Sequence, residues 1–248
     1  SSVNWLGNLS GMYCYLGDFE NADRWSNQSM NIAEESGNPF DEFHAKQWRG
    51  NYLIGAAQSE AAVALLRPLC ERVEEYDLGF GRPWAYGWLG AAYLSVGEYA
   101  KAEEALLYAC AAGNRLRLRL SEVWNSARLA DLYASTDRAQ EALANADNAL
   151  AIAENGGDRW HHPYVLRQRA RALSGLAEAD KARIQFDEAI HLAEHQGALP
   201  ELAHSRRDLG ALLQMIGDAE GRGREHEAAA KIYQQLNVPV WLEAIDRA

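Results

Sequence analysis

The stretch LGAAYLSVGEYAKAEEAL, Leu89–Leu106, places Gly90, Tyr93, Gly97 and Ala102 at spacings set by helix packing. Shifting the sequence against itself by one fixed offset, that from Ala62 to Ala102, reproduces the pattern. Ala22, Ala62, Ala102, Ala142 and Ala182 share one column, broken at its sixth member by Arg222. A second column reads Tyr13, Leu53, Tyr93, Tyr133, Leu173, Leu213, and a third Ser10, Gly50, Gly90, Ala130, Ala170, Gly210. A fourth holds Ser29, Leu69, Ala109, Ala149, Ala189 and Ala229. Columns of matched side-chain size at one fixed offset identify a repeat protein. Units at about 3–42, 43–82, 83–122, 123–162, 163–202 and 203–242 fill almost all of the 248 residues, as one repeat domain over 1–248.

Each unit reads as two helices. In the third, Tyr86, Leu89, Gly90, Tyr93 and Gly97 recur with the helical period and form a face that must be buried. Ser95–Glu98 breaks the pattern, and Tyr99, Ala102, Leu106 and Ala109 begin a second amphipathic helix. Gly90 and Ala102 are small because closely packed antiparallel helices leave no room for more. Equivalent turns fall at Leu16-Gly17-Asp18, Ser135-Thr136-Asp137, Gly175-Leu176-Ala177 and Ile216-Gly217-Asp218. Breaks between units are read at Gly37-Asn38-Pro39, Gly79–Pro83, Gly113-Asn114, Gly156-Gly157-Asp158 and Gly197–Pro200. Pro83, Pro163 and Pro200 suit first helical turns, where the missing N–H needs no partner. The run RLRLRL, Arg115–Leu120, reads as a junction whose leucines tuck inward, with a basic docking spot as the alternative. A further helix at about 239–248 would cap the last unit.

The motif Leu89-Gly90-Ala91-Ala92-Tyr93, followed by a glycine turn and an alanine at Ala102, resembles the tetratricopeptide repeat (TPR). The resemblance covers essentially the whole chain. It departs from the pattern at Arg49, in the place of Leu89, and at Arg222, in the place of Ala102. Units of about 40 exceed the family's usual length of about 34. Such long units resemble kinesin light chain repeats, bacterial peptide-pheromone receptors, and the C-terminal arms of bacterial STAND-class signalling ATPases and related transcription regulators. AIHLAEHQG, Ala189–Gly197, is most similar to the last group. The resemblance implies an all-α, right-handed α-solenoid whose first helices line a concave groove.

With Leu89, Gly90 and Tyr93 buried, helical geometry puts Trp84, Gly87, Trp88, Ala91 and Ser95 nearly opposite. The same offsets select His44, Gln47, Trp48 and Asn51 in the second unit, and Trp124, Arg128 and Asp131 in the fourth. They select Tyr164, Arg167 and Arg171 in the fifth, and His204 and Arg207 in the sixth. One column, Asn4, His44, Trp84, Trp124, Tyr164, His204, forms a ribbon of flat side chains. Aromatic rings with a polar handle suit interface anchoring, and arginines suit bidentate grip of carboxylates. The competing reading is that the tryptophans wedge between first helices as core and the arginines pair with nearby acids.

Other chemistry is thin. The sequence contains no G-x-x-x-x-G-K-[ST] phosphate loop, and His191 and His195 lack the HExxH order and a third ligand. Neither a cofactor, a metal nor a catalytic set is expected, and the chain reads as non-catalytic. A net charge of −11 argues against nucleic acid. No apolar run reaches the roughly 18 residues of a membrane span. Three cysteines and no secretory signal point to reduced thiols in the cytoplasm. Opening on SSVNW without Met, the chain reads as a piece of a longer protein. The expected partner is a peptide or protein segment in the groove; a small-molecule inducer such as an oligosaccharide is the alternative that the resemblance to transcription regulators implies.

Overall fold

A computed structural model describes residues 1–156 and 158–246, and it is helical throughout. The helices are α1 (Ser2–Leu16), α2 (Phe19–Ser36), α3 (Pro39–Gly55), α4 (Ser59–Glu75), α5 (Arg82–Ser95), α6 (Tyr99–Leu116) and α7 (Arg119–Ala134). They continue with α8 (Ala139–Gly156), α9 (His162–Gly175), α10 (Ala179–Gln196), α11 (Leu199–Met215), α12 (Ala219–Leu236) and α13 (Pro239–Asp246). A short 3-10 turn, Gly79–Gly81, precedes α5. No described helix is long and apolar enough to cross a membrane. Two compact units form, residues 1–125 and the chain from Ser126 onward, with the division inside α7. Gly157, Arg247 and Ala248, parts of an expected break and of the expected capping helix, lie outside the described residues.

The turns explain the repeat. Within helix pairs the left-handed residues are Gly17, Ala57, Gly97, Asp137, Ala177 and Gly217; after the second helices they are Gly37, Asp77, Arg117, Gly197 and Asn237. Successive ones stand half a repeat apart, except between Asp137 and Ala177, where the intervening place is Gly157, outside the described residues; among the described residues no other residue has positive φ. After each first helix the following N–H turns back to the column of large residues: Asp18 to the Tyr13 carbonyl at 2.9 Å, Glu98 to Tyr93 at 2.9 Å, Asp218 to Leu213 at 2.9 Å. This is Schellman closure, which satisfies carbonyls that a helix end would otherwise strand.

The small column lets the paired helices approach. A Cβ on Gly90 would stand 2.6 Å from Leu106 Cγ and 3.3 Å from the Ala102 carbonyl oxygen; one on Gly50 would stand 2.6 Å from Leu66. Ser10, buried at the same place, donates from Oγ to the Ala22 carbonyl at 2.8 Å. All five alanines of the Ala102 column are fully buried. The two departures resolve differently. Arg49 pairs with Asp23 at 2.5 Å and lies over the Tyr52 ring, whereas the Nε of Arg222 is buried without a hydrogen bond.

Two local expectations need correction. The break read at Gly113-Asn114 does not occur there: α6 runs to Leu116, and Arg117 is the left-handed residue. Gly113 instead gives close approach, since a Cβ would meet Ser121 Oγ at 2.7 Å. The leucines of RLRLRL do not tuck inward as a set, for Leu116 and Leu120 are exposed. Cys14 and Cys70 are buried, and burial pushes the Cys14 thiol up to about 12.

Ala57 and Ala177 occupy a conformation that costs an L-residue about 1–2 kcal/mol. Ala57→Gly and Ala177→Gly should each stabilise by about 0.5–1 kcal/mol, less than the full relief because glycine also loosens the unfolded chain. Ala102→Trp should overfill its contact and destabilise by more than ~3 kcal/mol. Urea titrations read both signs; an Ala102→Trp chain that unfolds like the parent would refute the packing register.

Candidate functional site on the first helices

In the unit spanning residues 1–125, the site side chains rise from α3, α5 and the start of α7. His44 is half-buried, edge-on to Phe40 at 4.6 Å and Phe43 at 5.0 Å, with Gln47 Nε2 at 3.1 Å from its Nδ1. Burial lowers the His44 pKa from its ordinary value. Trp48 lies flat on α1 because Gly7 and Gly11 lack side chains: Cβ atoms there would stand 2.3 and 2.4 Å from its ring. Trp48, Trp88 and Trp124 form a ladder, with ring centroids 6.3 and 4.8 Å apart. Trp88 is only 4% exposed, so it belongs to the packed middle of this ladder rather than to an open face. Trp84 and Trp124 are half-buried. Asn51, one turn beyond Trp48, is also half-buried, and its amide makes no side-chain hydrogen bond among the described residues.

In the unit from Ser126 onward, the arginines are committed to acids. Arg167, 5% exposed, sends Nε and Nη2 to the two Glu201 oxygens at 2.5 and 3.2 Å, and Nη1 to Asp208 at 3.0 Å. Arg171 pairs with Asp131 and donates to Gln168 at 2.9 Å and Ser135 at 3.0 Å. Arg207 binds Asp208 at 2.6 and 2.9 Å, and Tyr164 donates to Asp131 at 3.1 Å. Arg128 is buried, and burial pushes its guanidinium down to about 10. His204 Nδ1 meets the Tyr233 hydroxyl at 2.7 Å, and Trp241 of α13 stands edge-on to its ring at 4.7 Å. The structure thus brings Tyr164, Arg167, Arg171, His204 and Arg207 into one cluster. Its acids Glu201 and Asp208 escaped the sequence reading, although Asp208 stands one repeat beyond Gln168, in the column that also holds Trp88 and Arg128.

The charge states follow from this geometry. Burial alone would raise the Asp208 pKa, but Arg207, Arg167 and Arg171 outweigh it and hold the carboxyl well below the usual range. Asp131 is lowered in the same way, chiefly by Arg171 and Arg167 against burial. Burial, with Arg207 and Arg167 beside it, keeps His204 well below its ordinary value and therefore neutral at pH 7. A separate recess of about 780 Å³ opens between α8, α9 and α10, bordered by Leu150, Trp160, His162, Leu166, Leu192 and His195.

No protein-family model matches the sequence. The regulatory protein AfsR of Streptomyces griseus is 27% identical over 109 residues, which cover 44% of this chain and 11% of that protein. The crystal structure of a Rap protein complexed with competence and sporulation factor is similar at a TM-score of 0.79 and 16% identity, over 95% of this chain and 64% of the Rap chain. NprR in complex with its cognate peptide NprX is similar at a TM-score of 0.74 and 11% identity, over 98% of this chain and 71% of NprR. The chain therefore has the all-α fold of TPR-like helical repeat proteins.

The cluster makes the fold acid-sensitive in two stages. Below about pH 6.5 the unfolded chain protonates an imidazole that the folded chain keeps neutral, so stability falls as pH falls. Below about pH 4 the unfolded chain protonates carboxyls that Asp208 and Asp131 keep ionised, and stability falls further. Urea midpoints between pH 7 and 3 should show both declines, and His204→Gln should weaken the first. At pH 7, Asp208→Asn should destabilise by about 3 kcal/mol by leaving buried arginine charge uncompensated. A His204→Gln chain whose profile from pH 7 to 5 matches that of the parent would contradict the neutral histidine.

Proposed function

We propose that this chain is a regulatory binding module that holds a peptide, or an extended segment of a partner protein, on its first-helix faces. The carrying observation lies in the residue 1–125 unit: the half-buried side chains of Trp84 and Trp124 lie on the first-helix faces that also carry Asn51, whose amide makes no side-chain hydrogen bond among the described residues. Aromatic faces supply apolar area at little entropic cost, and an amide offers both a donor and an acceptor to a peptide backbone. The fold-level likeness to NprR, solved with its cognate peptide, and the sequence likeness to a protein named as regulatory support the same reading. In the other unit Arg167, Arg171 and Arg207 are engaged with Glu201, Asp131 and Asp208, which favours a structural role for that cluster over chemistry.

A second reading, small-molecule sensing, is favoured by the recess beside Trp160. Its volume falls within the range of small-ligand sites, and Trp160 is 41% exposed.

Selecting a displayed library of randomised ten-residue peptides, then measuring fluorescence polarisation on the winners, tests the first reading. Trp84→Ala, Trp124→Ala and Asn51→Ala should each weaken binding at least 10-fold; for the two half-buried tryptophans the stability loss should stay below about 1.5 kcal/mol. A library that yields no binder would remove the peptide reading, and binding lost only in Trp160→Ala would move the site to the recess.

A further inference from the structure

Two places on the first helices are buried in every repeat but the first. Ala45, Ala85, Asn125, Val165 and Ser205 are buried, and so are Tyr52, Ala92, Leu132, Ala172 and Leu212, two helical turns later. In α1 the same places are taken by Trp5 and Met12, which are 78% and 50% exposed. Leu9, between them, stands where Leu89, Leu129 and Leu209 are buried.

What covers this face elsewhere is known from the chain itself. It is the second helix of the preceding pair. Ala33 of α2 packs with Ala45 of α3 in one apolar cluster, and Asp23 of α2 pairs with Arg49 of α3. Asp147 of α8 pairs with Arg169 of α9 at 2.6 Å, and Glu194 of α10 with Arg206 of α11 at 2.6 Å. Among the described residues, no such helix precedes α1.

The composition of α1 fits a covered helix. Its 15 residues, SVNWLGNLSGMYCYL, contain no charged side chain, in a chain that is 24% charged. An end of a repeat array that faces water is normally capped by a polar outer face; α1 has the opposite. A helix of this length, about 22 Å, presents too little area to hold two separate copies together. The same area is what each repeat in this chain gives to the helix before it.

We propose that the Trp5, Leu9 and Met12 face of α1 seats a further amphipathic α-helix from outside these 248 residues, packed on α1 as α10 packs on α11. That helix carries small residues opposite Trp5, because Trp5 fills a place that is alanine, asparagine, valine or serine in the other repeats. Of the second helices in the chain, α10 is the best stand-in: it already packs against α11, whose Leu209 and Leu212 are the counterparts of Leu9 and Met12.

The test appends a copy of residues 179–200 directly ahead of Ser1. Pro200 is followed by Glu201 in the native chain, and Ser1 is the counterpart of Glu201, so the copy enters in the native repeat register. Hydrogen–deuterium exchange across residues 2–16 should slow at least 10-fold, and the melting temperature should rise. Removing two residues from the appended turn, or introducing Trp5→Glu with Met12→Glu into the appended chain, should abolish both gains. The same double substitution in the chain without the appended helix should leave its melting temperature unchanged, which shows that the fold survives. Unchanged exchange in α1, or equal protection from the out-of-register copy, would overturn the proposal. So would a native chain that sediments as a dimer and becomes monomeric with Trp5→Glu and Met12→Glu, since a second copy would then be the occupant.

Discussion

The described helices all depend on left-handed residues placed at multiples of one interval, half a repeat, along the sequence. Each paired helix, closed by one backbone turn, returns the chain after the same number of residues, and the two helices of each pair therefore keep their small residues face to face. The closure and the core are the same residues seen twice. Tyr13, Tyr93, Tyr133 and their leucine counterparts pack with their side chains, while their carbonyls accept the turn's N–H. A register slip in the turn would misplace the packing residue by the same step, so local closure and tertiary packing enforce one another.

The close approach permitted by Gly50 and Gly90 is matched by leucines at Leu66 and Leu106 that fill the space a Cβ would have taken. In the last pair the same exchange is made with a polar ring: His226 lies over Gly210, and a Cβ there would stand 2.1 Å from it. The His226 Nε2 has no hydrogen-bond partner, and the buried Arg222 Nε is likewise unsatisfied. Buried polar atoms without partners cost stability. The sixth pair therefore keeps the geometry of the repeat with less of its energy.

The repeat was legible because side-chain size recurs at a fixed offset, and size is what helix packing selects. The turns were only half legible. Gly17, Gly97 and Gly217 announce a left-handed residue, but Ala57, Asp137 and Ala177 take the same conformation without being glycine, because tight helices on either side fix the closure regardless. Gly113 misled for the converse reason, as a glycine kept for close approach looks in sequence like one kept for a turn. For the site, a helical wheel allots each helix a buried and an open face. A first helix in an array is flanked by other first helices as well as by its own partner. That is why Trp88, nominally on the open face, is closed in by Trp48 and Trp124.

One column that carries aromatic rings in the first unit carries ions in the other. Trp48 and Trp88 share it with Arg128 and Asp208. Both solutions fill the narrow strip left between first helices, but they differ in what a ligand would gain. Rings that are partly covered lose more water when covered further, so contact with Trp84 or Trp124 adds apolar burial. Arg167, with Glu201 and Asp208 already in place, can accept a new carboxylate only by releasing one that is desolvated and hydrogen-bonded. Such an exchange returns little net free energy, since one buried pair replaces another. The ion cluster therefore serves to fix the positions of α9 and α11, and the peptide site we propose draws its binding energy from the aromatic strip.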